Sequence, residues 1–236
     1  MVDDVGYIPP KLPLSLDIET KEILKKAAKA NKALGELKGI ARLIPSQEIL
    51  ISFFALQEAK TSSEIENIHT TTEELIGIAN ETENNANVKE VLRYRDTIKS
   101  FFITLKKRKW LIRHRDIIAI NIKIVGVKRG YRDKKGTVIA DTTQGKVSNI
   151  LHVPPQKHDD ILKCMDNLLE YIHDSEDNTD TLIKMAIMHY QFEVIHPFDD
   201  GNGRTGRILN ILYLIMHGYL AFPILYLSSY ININKT

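Results

Sequence analysis

Residues 203–217 read Gly-Arg-Thr-Gly-Arg-Ile-Leu-Asn-Ile-Leu-Tyr-Leu-Ile-Met-His, and this segment decides the fold. From Ile208 onward it is apolar almost all round at helical spacing. A helix without a polar face has no side to turn to water, so it has to be enclosed by other elements. The sequence therefore predicts a central helix over about 203–217, surrounded by the rest of the chain.

The surrounding segments also have mostly helical periodicity. Helices are predicted over about 19–42, from Ser46 to an interruption at Thr61-Ser62-Ser63, from Thr70–Thr72 onward, and over 88–105, 114–126, 156–173 and 179–194. The one convincing strand signal lies in 137–140 and 147–151, which flank a turn and end at Pro154-Pro155. The predicted class is all-α with one β-hairpin.

The chain divides into three predicted segments. Residues 1–18 contain Pro9, Pro10 and Pro13 and read as an extended N-terminal arm. Residues 19–80 form an N-terminal helical segment, and the polar stretch 80–87 reads as a loop. Residues 81–236 form the core, which carries the hairpin at 137–151 and a polar motif at 196–207.

Composition excludes several classes of protein. The 236 residues include 32 Lys and Arg against 30 Asp and Glu, and a net charge of +2 does not indicate a nucleic-acid surface. The lone cysteine, Cys164, forms no disulfide within the chain. No long uncharged apolar run and no basic-then-apolar N-terminus is present, so we expect a soluble, cytoplasmic protein without a membrane span.

The motif at 196–207 reads His-Pro-Phe-Asp-Asp-Gly-Asn-Gly-Arg-Thr-Gly-Arg. Pro197 ends the preceding helix at His196, and the glycines permit close approach of a ligand to the backbone. A glycine-rich turn that leads into a helix N-terminus presents free N–H groups and a positive dipole end. The motif therefore predicts an anion site, and Phe198 is expected to anchor its loop in the core.

Two arginines strengthen the prediction of an anion site. Arg204 and Arg207 lie in the first turn of the helix, where a cation opposes the helix dipole. A bound phosphate chain would resolve this conflict, because guanidinium groups match phosphate oxygens. The pattern Gly201-x-Gly203-x-x-Gly206 also fits a dinucleotide-binding fingerprint, but that fingerprint needs a preceding strand and a later acid, and no Asp or Glu follows Asp200.

The motif resembles the signature of the Fic family, His-x-Phe-x-Asp/Glu-Gly-Asn-Gly-Arg-x-x-Arg, at every defined position. The resemblance extends to residues 186–193 before the motif, to the hairpin, which corresponds to the family's flap, and to residues 226–232. It implies a Fic-like helical bundle with one β-hairpin flap. It also implies transfer of AMP from ATP to a Ser, Thr or Tyr hydroxyl of a target protein or of the enzyme itself.

The resemblance assigns roles to individual residues. His196 would be the general base, as an imidazole that titrates near neutrality, and Asp200 would hold Mg²⁺ (or Mn²⁺). The backbone of Gly201 and Gly203 and the side chain of Asn202 would surround the phosphates. The full set expected to bind ATP is Gly201, Asn202, Gly203, Arg204, Thr205, Gly206, Arg207 and Asn232.

Two further segments receive roles from the family. Val147, Ser148, Asn149 and Ile150 of the flap would bind the target by strand addition, although a hairpin that merely covers the core is the alternative. Ser62, Glu66 and Asn67 fit the inhibitory pattern Ser/Thr-x-x-x-Glu-Gly/Asn. Glu66 would pair with Arg207 and block the productive position of the γ-phosphate, whereas an exposed capping acid is the alternative reading.

Other functions stay open at this point. The same site could transfer another phosphate-containing group, such as UMP, phosphate or phosphocholine, or could remove AMP. A regulatory module without activity is a third possibility, which the intact His196 and Asp200 disfavour. A homodimer is compatible with the family, and no binding of nucleic acid is expected.

Overall fold

The computed structural model describes residues 6–77, 85–143 and 146–234. Within these ranges it contains nine helices and one pair of strands. In chain order the elements are α1 (Lys21–Leu43), α2 (Gln47–Ile65), α3 (Thr72–Gly77), α4 (Ala86–Lys107), α5 (His114–Val125), β1 (Ile139–Thr143), β2 (Lys146–His152), α6 (His158–His173), α7 (Thr181–Ile195), α8 (Asn202–Met216) and α9 (Leu227–Ile233). The predicted class, helical with one hairpin, is confirmed.

Helix α8 is the central element. All its residues from Arg204 to Ile215 are buried, and α7, α5, α4 and α2 pack around it. The apolar side chains of this helix therefore form the middle of the hydrophobic core. The prediction of a central helix from the apolar pattern of 203–217 is confirmed. The burial of its polar residues Arg204, Thr205 and Arg207 was not predicted.

Polar side chains cap several helices where the sequence has them. The hydroxyl of Thr20 accepts a hydrogen bond from the backbone N–H of Ile23 at the start of α1. Thr71 and Glu74 bond reciprocally to each other's backbone N–H groups at the start of α3, as a capping box does. Ser46 precedes α2 as expected, but its side chain makes no capping hydrogen bond.

The predicted interruption at Thr61-Ser62-Ser63 is wrong. Helix α2 continues through these residues to Ile65, and all three are buried. The hydroxyl of Thr61 hydrogen-bonds the phenol of Tyr226, and that of Ser62 bonds Arg207. Tertiary contacts therefore outweigh the weak helix propensity of hydroxyl residues. Helix α9, in the segment after Tyr226, was not predicted.

Strands β1 and β2 pair antiparallel, with register irregularities between Ile139 and Ala140 and between Asp141 and Thr142. The strands reach closer to the turn than predicted, and the turn residues 144–145 lie outside the described residues. The described part of the arm contains no helix and no strand and bends at residues 12–13 and 15–16, so its extended conformation stays a prediction. Asn167 fixes the arm by accepting from the N–H of Leu12 at 2.8 Å and donating to the carbonyl of the same residue at 2.9 Å.

The predicted division between an N-terminal segment and the core, at 80/81, falls outside the described residues and stays a prediction. In the part of the chain that the structure describes, no helix is both long and apolar enough to span a membrane.

Candidate active site

The loop between α7 and α8 has two backbone positions in the left-handed region. His196 ends α7 with φ of 47°, and its N–H still donates to the carbonyl of Phe192 at 3.0 Å. Gly201 precedes α8 with φ of 75°, and a Cβ there would lie 2.7 Å from Cγ2 of Val125. The loop therefore turns sharply at both ends and directs the start of α8 toward the site.

Side chains from the motif and from α5 hold this loop. Phe198 is buried, as predicted, and packs beside the rings of Tyr131 and Phe192. The amide of Asn121 on α5 donates to the carbonyl of Asp200 at 2.8 Å and to the hydroxyl of Thr205 at 3.3 Å. The role of Asn121 was not predicted, because nothing near it in the chain marks its long-range contact.

The side chain of Asn202, which was expected to surround the phosphates, bonds the backbone of the loop. Its Oδ1 accepts from the N–H of Phe198 at 2.9 Å, and its Nδ2 donates to the carbonyl of the same residue at 2.8 Å. Both polar atoms of a side chain that is 3% exposed are therefore used within the loop. Asn202 therefore shapes the loop, and its contact with a phosphate stays a prediction.

Arg204 is buried at the start of α8 between two carboxylates. One of its Nη atoms forms an ion pair with Glu90 of α4, and the other lies 3.1 Å from Oδ1 of Asp200. The motif predicted the position of Arg204, but Glu90 was missed because it lies in an ordinary polar stretch of α4. A buried guanidinium needs such partners, since its desolvation costs several kcal/mol.

Arg207 meets the end of α2. Its Nε donates to the hydroxyl of Ser62 at 2.7 Å, and its Nη2 donates to the carbonyl of Ser62 at 3.0 Å and to Oε1 of Glu66 at 2.7 Å. The expected contact between Glu66 and Arg207 is therefore present. Asn67 follows α2 with φ of 61° and ends the helix.

Two glycines of α8 make room for carboxylates. A Cβ on Gly203 would overlap Oε1 of Glu66 and lie 2.9 Å from Nη1 of Arg207. A Cβ on Gly206 would lie 2.6 Å from Oε1 of Glu193 on α7. These glycines are thus required by close approach of side chains from α2 and α7, in addition to any contact with a ligand.

His196 is a weaker base than an imidazole that titrates near neutrality. Burial, and next the charge of Arg132, lower its pKa to about 4, against the opposing effects of the Glu193 carbonyl and of Glu66. The imidazole of the nucleotide-free protein is therefore neutral at physiological pH. It is free to accept a proton, but it does not titrate near neutrality as proposed from its residue type.

Two buried titratable groups lie behind the first turn of α8 and were not predicted. Burial raises the pKa of Glu193 to about 7, which Arg207 opposes and Glu66 reinforces. Burial, and next the charge of Arg207, lower the pKa of His189 to about 4. Their positions on the inner face of α7 follow from helical spacing, but nothing in the sequence shows the depth of their burial.

Helix α2 also binds the start of α9. The buried carboxylate of Glu58 accepts from the backbone N–H of Ser228 at 3.0 Å and from its hydroxyl at 2.5 Å, and Thr61 contacts Tyr226. Burial raises the pKa of Glu58. Asn232, expected to contact the nucleotide, lies on α9, and that role stays a prediction.

The hairpin presents part of the predicted target-binding segment. Asn149 pairs with Asp141 and Ile150 with Ala140, and both Asn149 and Ile150 are exposed. The side chains of Val147 and Ser148 lie outside the described residues, although the backbone of Val147 pairs with Thr142. Binding of a target by this strand stays a prediction.

Asp200 fits the expected metal. Its side chain is 64% exposed beside the start of α8. No group of three or more potential protein ligands is present among the described residues. Mg²⁺ is commonly held by one or two carboxylates together with substrate phosphates and water, so a single acid next to a phosphate site suffices.

Comparison with solved structures identifies the fold. A Fic family protein from Desulfovibrio desulfuricans G20 superposes with a TM-score of 0.73 at 22% identity, over 94% of this chain and 64% of that one. Fic-1 from Caenorhabditis elegans gives a TM-score of 0.62 at 18% identity, over 84% of this chain and 60% of that one.

Named relatives match shorter regions. The chain is 33% identical to the protein adenylyltransferase fic-1 of Caenorhabditis elegans over 79 residues, which is 33% of this chain. It is 42% identical to a probable protein adenylyltransferase of Aquifex aeolicus over 67 residues, 28% of this chain, and 31% identical to the protein adenylyltransferase Fic of Nematostella vectensis over 131 residues, 55% of this chain. These alignments span 15%, 20% and 29% of the three relatives' own lengths.

Two protein-family models together match most of the chain. The Fic/DOC family N-terminal region matches residues 24–102, and the Fic/DOC family itself matches residues 111–214, which include the whole motif. The chain therefore belongs to the Fic/DOC family.

Proposed function

We propose that this protein is an adenylyltransferase that transfers AMP from ATP to a hydroxyl of a protein target or of itself. The observation that carries the proposal is the pair of buried guanidiniums, Arg204 and Arg207, near the N-terminus of α8, in the motif that begins with the neutral imidazole of His196. Phosphates would find two positive groups and the dipole end of a helix in one place. The names of the relatives support AMP as the group transferred.

The chain's own residues account for the steps of such a transfer. His196 accepts the proton of the target hydroxyl as the hydroxyl oxygen forms a bond to the α-phosphorus of ATP. The bond from that phosphorus to the pyrophosphate oxygen breaks, and Arg204 and Arg207 stabilise the charge on the departing pyrophosphate. A Mg²⁺ held by Asp200 would supply further charge neutralisation when bound.

The contact between Glu66 and Arg207 supports autoinhibition. A guanidinium that already donates to Glu66 and Ser62 has fewer donors left for a γ-phosphate. Glu66 also overlaps the space above Gly203, where a nucleotide would approach the backbone. We infer that ATP binds productively only after Glu66 moves away.

Labelled nucleotides test the reaction. Incubation with α-³²P-ATP is expected to label the protein, whereas γ-³²P-ATP leaves it unlabelled, and His196→Ala abolishes labelling. Label from the γ position only would identify phosphate transfer instead. Absence of label from either nucleotide, in the wild type and in the activated variant described next, would contradict the proposal.

A matched pair of variants tests autoinhibition. Glu66→Gly is expected to raise self-modification about a hundredfold, because the nucleotide regains its aligned position. Glu64→Gly is the control, since it places a glycine at the same end of α2 but removes an acid that pairs with Lys60 at 3.8 Å. Equal activity of both variants would show that loss of helix stability, and not loss of Glu66, activates the protein.

A further inference from the structure

Arg132 is a buried cation that contacts the end of α7 from outside the motif. It lies between α5 and β1 and is 2% exposed. Its Nε donates to the carbonyl of His196 at 2.8 Å, and its backbone N–H donates to the carbonyl of Pro197 at 2.8 Å. The arginine therefore binds both residues at the point where the chain takes its left-handed turn.

The same guanidinium contacts the root of the hairpin. Its Nη2 donates to the carbonyl of Pro155 at 2.5 Å, and His158 bonds the carbonyl of Arg132 at 2.9 Å. Pro155 follows β2 closely in the chain. One side chain thus connects the backbone of His196 to the segment that anchors the hairpin.

The charge of Arg132 lacks the compensation that Arg204 and Arg207 have. Among the residues that the structure describes, Arg132 forms no ion pair, and its bonds go to neutral carbonyl groups. Burial lowers the pKa of Arg132, and Asp199 acts in the opposite direction. Keeping a buried charge without an opposite charge beside it is unfavourable, and a purely structural clamp would not need the charge.

We propose that Arg132 is a positioning residue for the transfer reaction, which holds His196 in its left-handed conformation and fixes the hairpin root relative to it. His196 and β2, the strand that would bind the target, then keep a fixed distance and orientation relative to each other. This inference rests on the proposed function, and its test includes a measurement that needs no activity.

The charge of Arg132 has a second effect, on the protonation of His196. After burial it is the main group that lowers the pKa of His196. The other groups that face this imidazole are His152 on β2, which acts in the same direction, and Glu66 on α2, which acts in the opposite direction. Arg132 therefore helps to keep His196 unprotonated and ready to accept a proton.

Three variants separate charge from geometry. Arg132→Lys keeps the charge and loses the guanidinium fork, whereas Arg132→Gln keeps a hydrogen-bond donor and loses the charge. Arg129→Gln is the matched control, because it removes an exposed arginine three positions away that pairs with Asp199. The melting temperature of each variant shows whether it folds.

The first measurement is an NMR titration of the His196 ring in nucleotide-free protein. The wild type, Arg132→Lys and Arg129→Gln are expected to titrate at low pH, near the wild-type value. Arg132→Gln is expected to titrate about one unit or more higher. If His196 has an ordinary pKa in the folded wild type, or the same pKa in folded Arg132→Gln as in the wild type, the charge of Arg132 does not control its protonation.

The second measurement is self-modification in the Glu66→Gly background. Both Arg132 variants are expected to lower kcat about a hundredfold with the KM for ATP unchanged, since a misplaced base slows the chemical step and not nucleotide binding. In Arg132→Gln the acid limb of the pH profile also moves upward, whereas Arg132→Lys keeps the limb of its parent. A rise in KM with kcat unchanged would overturn the positioning role.

The two proposals fail in different ways. If the Glu66→Gly parent transfers no AMP, the proposed function fails, and the NMR titration still decides whether Arg132 controls His196. If the parent is active and both Arg132 variants match it in kcat and pH profile, the positioning role fails alone.

Discussion

The first two turns of α8 contain two buried arginines, and the acids that pair with them lie in different surroundings. Arg204 is 2% exposed and pairs with Glu90, whose own side chain is only 20% exposed within the packed helix α4. Arg207 is 5% exposed but pairs with Glu66, which directly follows the last residue of α2 and has a side chain that is 37% exposed. One cation has a fixed acid, and the other has an acid at a helix end.

This difference explains how one anion site can be both stable and controlled. An acid inside a packed helix cannot leave without disturbing the core. An acid at the end of a helix can move when only the last turn changes, because helix ends lose few backbone hydrogen bonds on fraying. Glu90 is thus suited to a structural role and Glu66 to a regulatory one.

The largest expected effect comes from removing the charge of Glu90, the acid that is fixed within a packed helix. Glu90→Gln is expected to lower the free energy of unfolding by about 3 kcal/mol, because it leaves the buried Arg204 with only the exposed Asp200. Glu66→Gln is expected to lower it by less than about 1 kcal/mol, since that pair is partly solvated. Urea denaturation of both variants measures the difference, and equal losses would contradict it.

A smaller effect is expected from adding a methyl group beside Glu66, the acid with the regulatory role. Gly203→Ala places a methyl group where Oε1 of Glu66 lies, which is expected to destabilise the protein by about 2 kcal/mol. In a Glu66→Gly background the overlap is gone, so the same substitution is expected to cost about 1 kcal/mol less. Urea denaturation of the four proteins in this cycle gives the coupling, and strict additivity would argue against the contact.

The two neighbouring serines of α2 sharpen the comparison further. Ser62→Ala removes the acceptor of the Nε of Arg207 and is expected to lower the free energy of unfolding by about 1 to 2 kcal/mol. Ser63 is equally buried, but its hydroxyl has no hydrogen-bond partner among the described residues, so Ser63→Ala is expected to change stability by less than about 0.5 kcal/mol. Chemical denaturation of both variants distinguishes them, and the reverse order would contradict the contact with Arg207.

The smallest expected effect is in the dependence of stability on pH. The raised pKa of Glu193 makes the folded state hold a proton that the unfolded state releases, so its contribution to stability is lost as pH rises from 4.5 through about 7. His189 and His196, with pKa values lowered to about 4, act oppositely, since their contribution is lost as pH falls below 6.5. Because two histidines oppose one carboxyl, stability is expected to rise with pH over about 4.5 to 6.5, about half as steeply as the histidines alone would make it rise.

The variant Glu193→Gln shows how much the two histidines contribute to the dependence of stability on pH. This variant removes the opposing carboxyl, so its stability is expected to rise more steeply than that of the wild type between about pH 4.5 and 7. Thermal melts over this range measure the slope. Parallel curves for the two proteins would show that Glu193 titrates normally in the folded state.

The sequence alone was sufficient for local features. The apolar pattern after Arg207 predicted the central helix, and Pro197 with the glycines predicted the sharp loop before it. Hydrophobic periodicity and turn chemistry depend on neighbours in the chain, so they can be read directly. The contact between Glu66 and Arg207 was expected from the family pattern and is present in the structure.

Long-range partners were not predictable in the same way. Glu90, Asn121 and Arg132 each contact the site from a helix or loop distant in sequence, and no local motif surrounds them. The low pKa of His196 was missed for the same reason, because burial is a property of the packed molecule. The continuation of α2 through Thr61-Ser62-Ser63 depends on contacts with Tyr226 and Arg207, which no helix propensity reports.

The attachment of α2 to α9 limits how the site can open. Moving α2 as a rigid rod would break the bonds of Glu58 to Ser228 and of Thr61 to Tyr226 together with those of Arg207. Unwinding only the residues after Ser62 leaves the bonds to α9 intact and frees Glu66. The left-handed residue Asn67 is therefore the expected position of a hinge. A ligand or partner that unwinds the last turn of α2 would open the site with the smallest loss of packing.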